Sequence, residues 1–330
     1  GASGPRAEVI ASRGVGTESL GGDGVEGLVG SGEEELAGSG EEDLEYEHVP
    51  PIEKFRPLWQ LRYASETRLW QPLPPAIKLV LGVFTVAQDV EYRQVVRETW
   101  MRQKGVCAWT TTPHDHCQVY VAFVIGARGF GEGAHDVTLT GRQANETHQE
   151  KGMLVLDIEE NMDEGKSLKW FEKAQVMFPW ATHIGKMDMD TYPYLHRLLP
   201  RMAANRSCVD AASPYELVGR PATYCGGRCE PYAGHCAMRE CHGQLRAADA
   251  WDDAVPVGGS EWYFFQGELY IMSLPLVQQV DWAPQAGNED MAVSGAVASA
   301  VRGLSSCVVF RRLDAWIHLN HRTHRNRTKW

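Results

Sequence analysis

A chain of 330 residues with 43% apolar content can build one large domain or two small ones. Its formal net charge of −11 sits almost entirely in residues 1–50, with 12 Asp/Glu against 2 Arg, while the rest holds 31 acids and 30 Lys/Arg. So balanced a body argues against nucleic-acid binding, and no apolar run reaches the ~18–20 residues that span a bilayer.

The acidic leader is poor in large apolar residues and repeats itself, as G-S-G-E-E-E-L from Gly30 and G-S-G-E-E-D-L from Gly38. It cannot bury enough apolar surface to offset its conformational entropy, so residues 1–55 are expected to be a disordered stem, either a spacer or an inert leader. Residues 56–76, with Trp59, Trp70 and several prolines, read as an arm lying on the body. The chain begins with Gly and opens with no signal peptide, which suggests a fragment whose targeting segment or anchor is missing.

From Ile77 the pattern alternates. Strands are expected at Ile77–Val86, Gln118–Gly126, Met153–Ile158 and Thr182–Met187, with helices over about 88–103, 141–151, 166–178 and 192–203. This alternation predicts an α/β sandwich over 77–325 with a mostly parallel central sheet flanked by helices. After a further strand, Glu216–Thr223, a Cys-rich insertion over 224–260 interrupts it, and residues 262–273 resume it. A helix follows at Met291–Val301, where Glu289 and Asp290 suit the helix dipole.

Eight cysteines allow complete disulfide pairing without fixing its connectivity. Four of them, Cys225, Cys229, Cys236 and Cys241, crowd beside His235 and His242, so a structural zinc site is the alternative, although no C-x2-C pair is present. Three glycosylation sequons, at Asn145, Asn205 and Asn326, join the paired cysteines in suggesting an oxidising lumen.

The fourth predicted strand runs into Asp188 and Asp190, one residue apart. Extended backbone puts i and i+2 on one side, so both carboxylates can address one hard divalent cation or one polar ligand. Ligands of parallel α/β sheets bind beyond the carboxyl ends of the strands, where this pair falls. Taken alone, the pair also reads as two solvated turn acids.

In order along the chain, six segments resemble the β-1,3-glycosyltransferase family of galactosyl-, N-acetylglucosaminyl- and fringe-type enzymes. They are Arg93-x-x-Val96-Arg97-x-Thr99-Trp100, Phe123-Val-Ile-Gly126, Glu150…Asp157…Asp163…Ser167-Leu-Lys169, Lys186-Met-Asp188-Met-Asp190, Gly267-x-x-Tyr270-x-x-Ser273 and Glu289-Asp290-Met291…Gly295. Two departures stand out. Met189 replaces the middle acid of the family's K-x-D-D-D, and Glu268 and Leu269 occupy the positions between Gly267 and Tyr270, so the family's second glycine is missing. The acidic stem and Cys-rich insertion are also similar to those of protozoan phosphoglycan galactosyltransferases.

The resemblance implies a GT-A-like fold, a UDP-sugar donor, a glycan acceptor, Mn²⁺ or Mg²⁺ as cofactor, and inversion at the anomeric carbon. By the same resemblance Asp190 ligates the metal and Asp188 contacts the metal shell or the donor ribose. His318 or His321 completes the ligands, with His318 preferred because it follows apolar Trp316-Ile317, and Asp290 is the general base. Thr85, Arg93 and Arg97 lie where uridine or diphosphate could bind, although a structural ion pair is the alternative for both arginines. The expected location is the Golgi lumen, with an N-terminal membrane anchor outside this chain. Two other readings stay open: a dehalogenase-like phosphatase using Asp188 and Asp190, and a carbohydrate-binding module of the same fold without turnover.

Overall fold

A computed structural model of the protein describes residues 50–128, 150–160, 165–202, 206–208, 211–222, 254–257, 264–284, 289–303, 308–313 and 315–319. All belong to the compact unit that begins at Tyr46. The strands, in chain order, are β1 Leu79–Phe84, β2 Val106–Ala108, β3 Val119–Arg128, β4 Met153–Glu159, β5 His183–Asp188, β6 Thr191–Pro193, β7 Arg206–Cys208, β8 Ala211–Ser213, β9 Glu216–Ala222, β10 Ala254–Val257, β11 Phe264–Ser273, β12 Val308–Arg312 and β13 Trp316–His318.

Nine of them form one sheet in the order β10-β12-β9-β11-β5-β1-β3-β2, with β4 also on β3. β2 pairs with Val119–Val121 and β4 with Phe123–Arg128, so the two share one edge of β3 in succession. The pairings among β1, β2, β3, β4 and β5 are all parallel, whereas β11 runs antiparallel to both β5 and β9. This is the expected mostly parallel α/β architecture. Because both faces are covered, every residue of β1 is buried.

The alternation of β1 divides the core. Val80 and Phe84 pack with Leu168, Trp170 and Phe171 of the helix Lys166–Met177 and with Val293 and Val297 of the helix Glu289–Gly303. Leu79, Leu81 and Val83 pack on the other face with Val95, Val96 and Trp100, from the helix Val90–Glu98 and the 3-10 turn after it. The helix Ile52–Ser65 lies on this second face through Phe55 and Trp59. The boundary expected at residue 55 therefore falls inside a helix, held by the stacking of those two rings at 4.2 Å. Trp70, in contrast, is 68% exposed.

Three differences from expectation have physical causes. The helix expected over 192–203 is replaced by β6, one helical turn at Leu195–Leu198 and a 3-10 turn at Leu199–Arg201. Residues 191–193 instead pair with β13, a distant partner that local periodicity cannot reveal. β2 was not anticipated because three half-buried residues carry little pattern. Strand β12 joins the sheet parallel to β9 from residues 308–312, to which the sequence pattern assigns no element. The helix expected at 141–151 falls mainly outside the described residues, as does most of the Cys-rich insertion, with its zinc alternative and all three sequon asparagines; β10 is the described part of that insertion. Among the described residues Cys107 and Cys117 form a disulfide, and no helix is long and apolar enough to cross a membrane.

One contact sets how closely a helix approaches the sheet. The indole of Trp170 donates to Gly185 O at 3.0 Å and lies over Gly82, where an added Cβ would come within 2.6 Å of its Cε2. Gly82→Ala should destabilise the protein by about 1–3 kcal/mol through overpacking, and thermal unfolding checks it. An unchanged midpoint would mean that Trp170 is free to shift.

Candidate active site and metal centre

β5 ends at Asp188, in register with Phe84 at the end of β1. Met189 turns into the apolar core, where it is 3% exposed, and this sends Asp188 and Asp190 the other way. The methionine that replaces the middle acid therefore faces away from the paired carboxylates. Thr191 follows at once as the first residue of β6 and pairs with His318 of β13. Leu319 N also donates to Asp190 O at 3.1 Å. This small ribbon brings His318 Nε2 within 3.1 Å of Asp190 Oδ1. Ligating atoms of Asp188, Asp190 and His318 all lie within 4.8 Å of one another. His321 lies outside the described residues.

Two carboxylates and one imidazole, with positions left for substrate oxygens, suit Mn²⁺ or Mg²⁺. The electrostatics agree with a cation site. Burial pushes the Asp190 carboxyl up, and the nearby Asp188 adds to that, against the opposing pull of His318. Burial would lower His318, yet Asp190, Asp188 and Glu268 raise it to about 9. Without a metal the imidazolium therefore stands in for the positive charge that this cluster demands. A second group, Cys107, His114 and Cys117, also comes together, but its sulfurs are bonded to each other and offer no thiolate.

Asp290 reaches the same place from the first turn of the helix Glu289–Gly303. Lys186, in β5, sends its ammonium to Asp188 Oδ1 at 2.7 Å, to Gly267 O at 2.7 Å and to Asp290 Oδ1 at 3.6 Å. Burial alone would lower the Lys186 pKa, but Asp188 and Asp290 more than offset this and hold it well above the ordinary lysine value. Gly267 is required here: an added Cβ would sit 2.0 Å from Asp290 Oδ2. The side chains of Asp188 and Asp290 are 24% and 22% exposed, so both remain open to a ligand.

Thr85 and Arg93 are placed differently from the expectation that they bind the donor. Arg93 is wholly buried, donating to Glu150 Oε2 at 2.7 Å, to Thr85 Oγ1 at 2.9 Å and to Val86 O at 2.6 Å. Thr85 Oγ1 donates in turn to Asp89 Oδ2 at 3.1 Å. Both residues brace the turn after β1, and the alternative of a structural ion pair describes Arg93. Arg97 also pairs with Glu150, at 2.5 Å, and lies over the Phe123 ring at 4.5 Å, but it keeps a partly exposed side chain.

The expected site did not include Lys186, Glu268 or Arg220. Lys186 carried a signal, a lone charge in an otherwise apolar strand. Glu268 stood only beside a departure from the family pattern, the glycine replaced by Leu269, while nothing local marked Arg220.

Glu289, beside Asp290, accepts a hydrogen bond from Ser167 N at the start of the helix Lys166–Met177. Burial, with Asp290 adding to it, raises its pKa from 4.5 to about 7. Below pH 4.5 the carboxyl is neutral in both the folded and unfolded chain, and its stabilising contribution is complete. As pH rises to 7 the unfolded chain ionises first, so up to about 3 kcal/mol is lost. Glu289→Gln should remove this dependence and gain on wild type between pH 5 and pH 8 in urea unfolding. A constant difference between the two proteins across that range would contradict the assignment.

A family model described as Galactosyltransferase matches residues 91–302, a stretch that includes Asp188, Asp190 and Asp290 and stops short of His318. No curated protein sequence matches the chain. Among solved structures, the inositol-1-phosphate CTP transferase from T. maritima aligns with a TM-score of 0.30 and 10% identity, over 77% of this chain and 95% of that one, a level too low to bear on fold or function. None of these matches carries a protozoan specificity. Because the family match spans well over half of the chain, from the helix after β1 to the helix that presents Asp290, the protein belongs to the galactosyltransferase family.

Proposed function

We propose that the protein is an inverting, metal-dependent glycosyltransferase that moves a hexose, galactose or N-acetylglucosamine, from a UDP-sugar to a hydroxyl of a glycan acceptor, forming a β-1,3 linkage. Family membership implies glycosyl transfer, which sets the phosphatase reading aside. One observation carries the mechanistic part: a single buried ammonium, Lys186, lies against both Asp188 of the cation cluster and Asp290.

When held by Asp188, Asp190 and His318, a divalent cation supplies Lewis-acid neutralisation of the charge growing on the departing diphosphate. Asp290 accepts the proton of the acceptor hydroxyl as that oxygen bonds to the anomeric carbon. The carbon–oxygen bond to UDP breaks on the opposite face, and its electron pair leaves with the nucleotide. The proton ends on Asp290, and the configuration inverts. Lys186 keeps the two carboxylates from repelling one another while the site waits for substrate. Arg97, partly exposed, remains a donor-binding residue in this reading.

A Golgi-lumen location, with a membrane anchor N-terminal to this chain, belongs to the same proposal. The Cys107–Cys117 disulfide and the sequons at Asn145, Asn205 and Asn326 support it.

The test is a panel of UDP-sugars with Mn²⁺ and candidate glycan acceptors, following UDP release and glycosylated product. Asp290→Asn should lower transfer by about 10²–10⁴-fold and leave UDP–Mn²⁺ binding nearly intact, since the base acts only on the acceptor. Asp190→Ala should lose both. Retention of most activity by Asp290→Asn would remove that residue from its role. Stabilisation by UDP and Mn²⁺ without turnover of any sugar would instead favour the non-catalytic carbohydrate-binding module.

A further inference from the structure

Behind the His318 ring lies a second carboxylate that the reaction does not use. Glu268, in β11, places Oε2 3.3 Å from His318 Nδ1, on the side of the imidazole away from Asp190. Its Oε1 accepts from Arg220 Nη1 at 2.5 Å. Arg220, in β9, also donates through Nη2 to Trp316 O at 2.7 Å and lies over the Trp316 ring at 4.8 Å. The backbone of Glu268 is tied in as well, since Thr191 Oγ1 donates to its carbonyl at 3.0 Å.

We propose that Glu268, held by Arg220, is a positioning residue that aims the Nε2 of His318 at the cation. The inference rests on the metal-site reading above. An imidazole that ligates through Nε2 carries its proton on Nδ1, and a fixed acceptor for that proton selects both the tautomer and the ring plane. Glu268 is such an acceptor. It is buried and its other oxygen is already committed to Arg220, so swinging away would break that ion pair. Arg220 grips β13 at two points, directly at the Trp316 carbonyl and through Glu268 at the ring of His318. The one metal ligand that comes from far along the chain is therefore fastened to the sheet that carries the other two. A buried ion pair is a weak source of stability compared with an apolar pair of similar volume, so packing alone does not account for placing these charges here.

Binding of Mn²⁺ alone, followed by loss of the free-ion paramagnetic resonance signal, tests the proposal without reference to turnover. Glu268→Ala should weaken binding by about 10- to 100-fold, the usual effect of removing a carboxylate behind a metal-bound histidine. Glu268→Gln, whose amide oxygen still accepts the Nδ1 proton, should recover most of the affinity. The paired Glu268→Leu/Arg220→Met variant removes both members of the Glu268–Arg220 ion pair and should still bind Mn²⁺ as weakly as Glu268→Ala. His318→Ala and Asp190→Ala serve as references. If both references lose Mn²⁺ while Glu268→Ala and the paired variant bind within about twofold of wild type, Glu268 is merely structural and the proposal is overturned. If the references also bind normally, the metal-site reading itself is wrong, and this inference goes with it.

Discussion

A lysine ammonium buried at the carboxyl end of the sheet is the constraint on which the site depends. Taking such a charge out of water costs several kcal/mol unless its surroundings replace the lost hydration. For Lys186 the replacement is complete on three sides, by Asp188, Asp290 and the Gly267 carbonyl. The rings of Phe84 and Tyr270 stand at 5.4 and 5.7 Å from the ammonium. Each partner comes from a different element, so satisfying one charge draws together the end of β5, the bend of β11 and the start of the helix Glu289–Gly303. Close approach of these elements is possible only because residue 267 has no side chain to meet the Asp290 carboxylate.

The same physics recurs around the rim. Lys166 and Glu160 form a wholly buried pair at 2.6 Å, with Lys166 also donating to Thr85 O at 2.8 Å and Glu160 accepting from Gly126 N at 2.5 Å. Buried Arg93 pairs with the partly exposed Glu150, close to Thr85. These pairs satisfy backbone groups left without ladder partners where β1 and β3 end, and they tie the segments after those strands to the sheet. They explain why polar residues just beyond β1 are absorbed into the scaffold rather than offered to a ligand. The rim therefore divides into buried charges that hold loops in place and the half-exposed carboxylates of Asp188 and Asp290, which remain available for chemistry.

The legibility of the site in the sequence differed from residue to residue. Asp188 and Asp190 were legible because strand alternation is a local rule, and Met189 in the core obeys it. Asp290 and His318 came into view only through the family resemblance, since an acid at a helix start and a histidine near a basic end each have an ordinary explanation. For Arg93 the sequence left a ligand-binding role and an ion pair open, and only the position of Glu150 decided between them. The helix expected over 192–203 failed because its first residues pair with β13, more than a hundred positions away.

Periodicity, length and motif order in the amino-acid chain were sufficient for the alternating α/β plan, the strand that delivers the paired aspartates, and the acidic character of the leader. These depend on neighbours within a few positions, where backbone geometry dictates which side chains share a face. Only the tertiary structure decided that β6 would pair with β13, that Lys186 would link Asp188 to Asp290, and that Glu268 and Arg220 would stand behind His318. Those outcomes depend on sheet order and on the need of each buried charge for an opposite partner, and that partner can come from anywhere in the chain.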